Sequence, residues 1–442
     1  MFWATGMNNK FRTNTAIFSE KISNAPLEFW LLLGLSVSFF VFQFMPMFFR
    51  YDTSMSQGFE YITPRDNMIG GDHFEIVNGM SRAFFNAEPR FVLKGPYPPF
   101  TVLFHLPFTL FDTRTSYILI SLMTLAALVF LTLVLPTWLE PKQRSHPFLI
   151  ALFLSGYFSY GFQFEVERGQ FNLIALCFTL TSIWLFHRTP KMRWLAYLLF
   201  SAAVQLKVYP AIFILALVDD WQDWKGIAKR FIGLGLFNLA ILFLFGFGNF
   251  LRFFGDLTKM AGADVSVSQN HSVGSFVALI ADKLPFLAKY SGYLSTLALG
   301  FVLICLALIV FQSYRNRLTG IDPLIVLACA VVAQLIPRIS FDYTLSILPA
   351  AMAFFLVGVE KSRKSVVAVL ALLLICTAYG STLFSSAYKF AAKELFPALT
   401  AFSNNSPALV MILVAVTILS FSLYPAALPH SKVETLIDET KN

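Results

Sequence analysis

Asp72 and Glu75 in MIGGDHFEIVNG, and Lys207 in AAVQLKVYP, are ionisable groups set against long apolar runs. A carboxylate can take the proton of a hydroxyl, and an ammonium can hold a departing phosphate, so the pair suits transfer of a group from a phosphate to an alcohol. Asp72 follows Gly70 and Gly71, which let a backbone approach a ligand closely, and it is the candidate base. The competing role is structural: Asp72 caps a helix starting at His73, and Glu75 completes a capping box. Lys207 lies more than ten residues from either end of the apolar run 194–218, too deep to snorkel from one straight span, which favours phosphate binding.

Further polar groups interrupt apolar surroundings. In FEVERGQFN, Arg168 is a second candidate for the phosphate, although Glu165 or Glu167 can simply pair with it. Gln170 and Asn172 can donate amide hydrogens to sugar hydroxyls, or only cap the span that follows. Arg338 and Asp342 in PRISFDY, and His271 in SVSQNHSVGS, complete the set. His271 suits a proton role near neutral pH or is a satisfied surface group. The acids of DDWQDWKG lack a DxD spacing and fall on the opposite face by charge count, so neither a metal nor another cofactor is expected.

The elements that position these residues follow from composition. Of 442 residues, 57% are hydrophobic and 13% charged, with a mean hydropathy of +0.67, which exceeds what a soluble domain needs to cover its core. The chain reads as an all-α polytopic integral membrane protein. Cys177, Cys305, Cys329 and Cys376 all sit in apolar runs and are expected to pack rather than to pair or bind metal. Fifty phenylalanines and a net charge of +8 suit a lipid-facing surface with basic cytoplasmic loops, and nothing requires nucleic acid.

At ~20 residues per span, full-length candidates fall near 29–49, 116–138, 147–163, 171–187, 231–250, 291–312, 321–337, 343–359, 365–384 and 406–428. The first is too long for a signal-peptide core and is expected to stay as an anchor. Residues 98–112 are short for a span, and 194–218 are broken at QLKVYP, where Pro210 removes a backbone donor. With the basic loops EPKQRSHP, HRTPKMR, DWKGIAKR, SYRNR and VEKSRKS on the cytoplasmic side, 98–112 is half-inserted and 194–218 is a hairpin turning at Lys207. Every polar motif named above as a candidate site then falls on, or points toward, the outer face.

YPPF opening a short apolar helix, RGQFNLIAL, AAVQLKVYPAIF and NHSV, in that order among the spans, resemble the polyprenol-phosphate-mannose-dependent mannosyltransferases of glycosyltransferase family 87, within the GT-C superfamily. The resemblance covers most of residues 60–345. It implies a GT-C-like fold, a first-loop acid matching Asp72, and a site element at Asn270, His271 and Ser272 in place of the family's NQS. Asp342 stands where a late histidine is expected.

These readings give one domain over 1–442, about ten full spans plus half-inserted helices, with outer loops 50–97 and 251–290 forming the active-site face. The expected activity is inverting transfer of a hexose, mannose by resemblance, from a polyprenyl-phosphate-linked donor to a lipid-linked or glycan acceptor. The expected setting is among membrane lipids of a bacterial inner (plasma) membrane, with the site facing the periplasm or cell exterior. A transporter or flippase of a lipid-linked sugar is the alternative. It would spread charges through the membrane midplane, whereas here they cluster at one face.

Overall fold

The computed structural model describes residues 70–86, 92, 93, 95–139, 146–262 and 270–358, together with the helical Trp30 and Gly34. The rest of the expected anchor at 29–49, the candidates at 365–384 and 406–428, the VEKSRKS loop and Cys376 lie outside the described residues. Within the described residues the chain is helical, and the only bridges are isolated ones, Asp220 to Thr319 and Asn270 to Phe341.

The principal helices are α1 (Gly71–Ile76), α2 (Pro99–His105), α3 (Thr113–Leu139), α4 (His146–Tyr157), α5 (Tyr160–Arg168), α6 (Asn172–Arg188), α7 (Arg193–Leu206), α8 (Trp224–Leu242), α9 (Phe247–Gly262), α10 (Val273–Lys283), α11 (Ser291–Arg315), α12 (Pro323–Leu335) and α13 (Ile347–Gly358). Five of the starts are set by short polar side chains that satisfy the orphan amides of a first turn. Asp112 accepts from Arg114 N and Thr115 N, Ser159 from Phe162 N, Asp223 from Gly226 N, Ser272 from Ser275 N, and Asp322 from Leu324 N. Pro323 occupies the first position of α12, where a missing N–H costs nothing.

α12 is at the centre, since every residue from Ile325 to Leu335 is buried. Phe171, Phe186, Phe200, Phe213, Phe354 and Phe355 are the largest fully buried side chains of the core. α11 lies outside and exposes Leu297, Phe301, Ile304 and Phe311, as a lipid-facing helix does.

Among the described residues only α3 and α11 are individually long and apolar enough to cross a membrane; counting the bent pairs α5–α6 and α8–α9 raises the number to four. Of the ten expected full spans, the seven that fall on the described residues are matched by at most these four, and the other three lie outside the described residues. The candidate at 147–163 breaks between α4 and α5, and those at 321–337 and 343–359 become α12, of 13 residues, and a short 3-10 turn running into α13. The expected hairpin at 194–218 is present. α7 ends at Lys207, which is extended (φ −142°, ψ 143°), and a 3-10 helix, Tyr209–Ala216, runs on from it. Residues 98–112 form α2 and a 3-10 turn, Leu106–Leu110, too short to cross. Cys305 and Cys329 are buried and Cys177 half-buried, all three as free thiols.

One end of the bundle gathers the basic loops. Arg193 and Arg230 flank the Phe186 ring at 4.6 and 4.7 Å and both pair with Asp219, at 2.8 and 3.0 Å. Arg188 donates to Leu139 O at the end of α3, Gln222 Nε2 to Tyr314 O and Gly320 N to Asp219 O, so the HRTPKMR, DWKGIAKR and SYRNR loops meet there.

Candidate functional site

Two glycines bring the opposite end together. Gly169 ends α5 in the left-handed region (φ +65°), and the chain turns through 111° into α6. A methyl group at Gly169 would lie 2.7 Å from His73 Cβ, so only glycine lets the turn sit against α1. Gly70, also left-handed (φ +78°), donates its N–H to Glu167 O at 2.6 Å. These contacts fix Asp72, on α1, directly beside Arg168 and Gln170.

The Asp72 carboxylate is held from two sides. Arg168 forms a bidentate pair with it, Nη2 to Oδ1 and Nε to Oδ2 at 3.2 Å, and Gln170 Nε2 donates to Oδ2. The amide of Gln170 continues the chain, its Oε1 accepting from Lys207 Nζ at 2.6 Å. The Lys207 ammonium in turn lies 4.4 Å from the Phe171 ring, 5.0 Å from Tyr97 and 5.9 Å from Tyr343. An acid, a guanidinium, an amide and an ammonium from three chain segments thus form one line, walled by aromatic rings. The Asp72 side chain is 15% exposed and that of Arg168 41%, so the line is open at the Arg168 end.

Several competing sequence expectations are corrected by these contacts. α1 has no side-chain cap, so the Asp72–Glu75 capping box does not form, and Glu75 is exposed. Arg168 pairs with Asp72 and not with a neighbouring glutamate. Glu165 is buried and accepts from Leu173 N at 2.9 Å and from Ser346 Oγ, capping α6 and tying α5 to the 3-10 turn Asp342–Ser346. Both ends of the Gln170 amide are taken by protein partners. Asn172, in the first turn of α6, is buried, and both its side-chain polar atoms lack a protein partner.

Asn270, His271 and Asp342 form a second, buried cluster, to which the exposed Arg338 contributes its backbone carbonyl. His271 Nδ1 lies 3.0 Å from Asp342 Oδ1, and its Nε2 faces Ser340 Oγ at 2.9 Å and Gln334 Oε1 at 3.1 Å. His271 is not a surface group. Asn270 binds backbone on both sides, donating from Nδ2 to Arg338 O and accepting Ser340 N at Oδ1, which pins residues 338–341 to the start of α10. The clusters adjoin through Asp342–Ser346, where Asp342 faces His271 and the next residue, Tyr343, faces Lys207. Sequence reasoning missed Tyr97, Phe171, Tyr343 and Gln334. An aromatic wall or a lone glutamine in an apolar run carries no spacing signal that distinguishes it from core.

Within the described residues no three histidine, cysteine or acidic side chains are grouped to hold a metal ion. Burial pushes His73 down to about 4, leaving it neutral beside the Asp72 line, with Nε2 at 2.7 Å from Ser116 Oγ.

Long apolar helices around a half-buried polar line define an integral membrane protein whose site opens at one end of the bundle. The sequence profile of glycosyltransferase family 87 matches residues 96–337, more than half of the chain, and the chain belongs to that family: it is a membrane glycosyltransferase. Arg168, Gln170, Asn172, Lys207, Asn270 and His271 fall within the match, whereas Asp72, Arg338 and Asp342 lie outside it. No curated protein and no solved structure matches the sequence.

Proposed function

We propose that this glycosyltransferase moves a hexose, mannose by its resemblance, from a polyprenyl-phosphate donor to a hydroxyl of a lipid-linked or glycan acceptor. The setting is the outer leaflet of a bacterial inner membrane, the chain forms one domain, and outer loops 50–97 and 251–290 bound the site. The reading rests above all on the line Asp72–Gln170–Lys207, which sets a carboxylate one amide away from a half-buried ammonium. Asp72 is the base. Of the roughly four lone-pair directions of a carboxylate, three are filled, and the open one is on Oδ1. The acceptor hydroxyl donates there as its oxygen attacks the anomeric carbon. The bond from that carbon to the phosphate oxygen breaks, and the displaced phosphate leaves with its charge held by Lys207 and Arg168. One displacement inverts the anomeric centre.

The test is transfer by purified protein from a polyprenyl-phosphate hexose, followed by chromatography of the lipid-linked products. Asp72→Asn keeps the side-chain shape but cannot accept the proton, so it is expected to lose on the order of 100-fold or more in rate while still binding donor. Exposed Glu75→Gln is the control and stays near wild type. A near-normal rate for Asp72→Asn moves the base elsewhere, with Glu165, Glu167 or Asp342 next in line.

A further inference from the structure

α8 and α9 are one apolar stretch with a sharp break. α8 carries its cations in its first turns, at Lys225, Lys229 and Arg230, and exposes Ile232, Leu236, Phe237 and Leu239 further on, as a membrane-crossing helix does. At Gly246, in the left-handed region (φ +86°), the chain turns through 108° into α9. A helix set at that angle to a crossing helix runs along the membrane surface.

The side chains of α9 sort accordingly. Phe247, Leu251 and Phe254, spaced by four and three residues, share one face and are 62%, 52% and 43% exposed. Phe243, Phe247 and Phe250 are stacked in near-parallel fashion, with 4.0 Å between the Phe243 and Phe250 centroids, and Phe254 follows at 4.8 Å. Phe253, on the adjacent side, is buried against the bundle. The charges fall on a separate arc: Arg252, Asp256 and Lys259, the last paired with Asp256 at 3.0 Å. α9 and the corner before it are braced to the stretch that follows Asp72, for Asn249 Oδ1 accepts from Leu93 N at 2.9 Å and the Phe245 ring, in the corner, lies 4.8 Å from Phe84.

We infer that α9 lies in the lipid surface on the side of the Asp72 site, with the Phe247–Leu251–Phe254 stripe in the upper acyl region and Arg252 and Lys259 at the lipid phosphates. The occupant of the exposed stripe is bilayer lipid, because the stripe continues the lipid-facing surface of α8 around the bend and its flanking cations complement phosphate. The bracing contacts then tie the height of the Asp72 segment to the headgroup layer.

Spin-labelled single cysteines, in full-length protein with its four native cysteines replaced, test this in vesicles of phosphatidylcholine and phosphatidylglycerol. Labels at 247, 251 and 254 are expected to collide with oxygen and to be hidden from an aqueous nickel chelate. Labels at 252 and 259 are expected to show the reverse, so that accessibility oscillates with the helical period. Nickel access at all five positions would place α9 in water and overturn the inference. Shielding of 247, 251 and 254 from both reagents would overturn it equally, by showing that protein, such as a second copy of this chain, covers the stripe.

Discussion

Lys207 sits where a lone ammonium is costly, and its surroundings explain why it is tolerated. Gln170 Oε1 and three aromatic faces take the place of water without neutralising the charge, which leaves it able to meet an anion. If that anion is the donor phosphate, Lys207→Gln is expected to lower kcat/KM for the donor by about 10- to 100-fold, the scale of a hydrogen bond to a charged group. Lys207→Arg retains part of the activity, and full activity of Lys207→Gln removes the residue from the mechanism. His73 belongs to a different ledger, that of stability. Its proton affinity is lowered in the folded protein, from an ordinary 6.5 to about 4, so the unfolded chain binds the extra proton first and stability falls as the pH drops from 6.5 toward 4. The full effect of this one group is on the order of 3 kcal/mol. Thermal unfolding in detergent is expected to show a shallower loss between pH 7 and pH 5 for His73→Gln than for the wild type, and equal slopes would refute the assignment. Asp72 and Lys207 were legible in the sequence because a charge beside an apolar run has few bland explanations. The role of Gln170 was not: whether an amide meets a sugar or two side chains of its own protein depends on a turn whose geometry the sequence does not state.

Turns decide at the scale of elements. α5 and α6 would read as one apolar segment but for ERGQ, and the left-handed Gly169 converts that segment into a corner that brings Arg168 and Gln170 to α1. Gly169→Ala meets both a conformational penalty and the His73 Cβ at 2.7 Å, and together these cost about 2–4 kcal/mol. Gly246→Ala, at a corner with open space around it, incurs only the conformational part, about 1–2 kcal/mol. The comparison is made by thermal unfolding of the two variants, and a Gly246→Ala loss equal to that of Gly169→Ala would show that packing at the α1 contact is unimportant. A third glycine, Gly161, lets α5 press on the Asp342–Ser346 turn, since a methyl there would come within 2.9 Å of Ser346 N. Hydropathy found most of the apolar runs and the break at Lys207, because proline and a charge mark it. It placed full spans where the structure has bent or short helices, because a window of ~20 residues averages over a corner made by one glycine.

At the scale of the whole molecule, the two polar ends are joined by the same helices. α6 begins beside the Asp72 line at Asn172 and ends at Arg188, which donates to Leu139 O at the basic end. Its 17 residues make it about 25 Å long, close to the thickness of a hydrocarbon core. α3 runs the same way, from Tyr117, whose hydroxyl donates to Val166 O, to Leu139, and α7 returns from Arg193 to Lys207. The basic loops and the candidate site are therefore a membrane thickness apart, as the distribution of Lys and Arg predicts for a cytoplasmic and an outer face. A cysteine introduced at Asn86, exposed after the Asp72 helix, is expected to react with a membrane-impermeant maleimide in intact cells. Cysteines at Lys191 and Arg317, exposed at the basic end, are expected to react only after permeabilisation. Labelling of position 317 in intact cells would invert the orientation and put Asp72 in the cytoplasm, where an outer-leaflet acceptor could not reach it. Labelling of both 86 and 317 from one side would instead mean that α3, α6 and α7 do not cross.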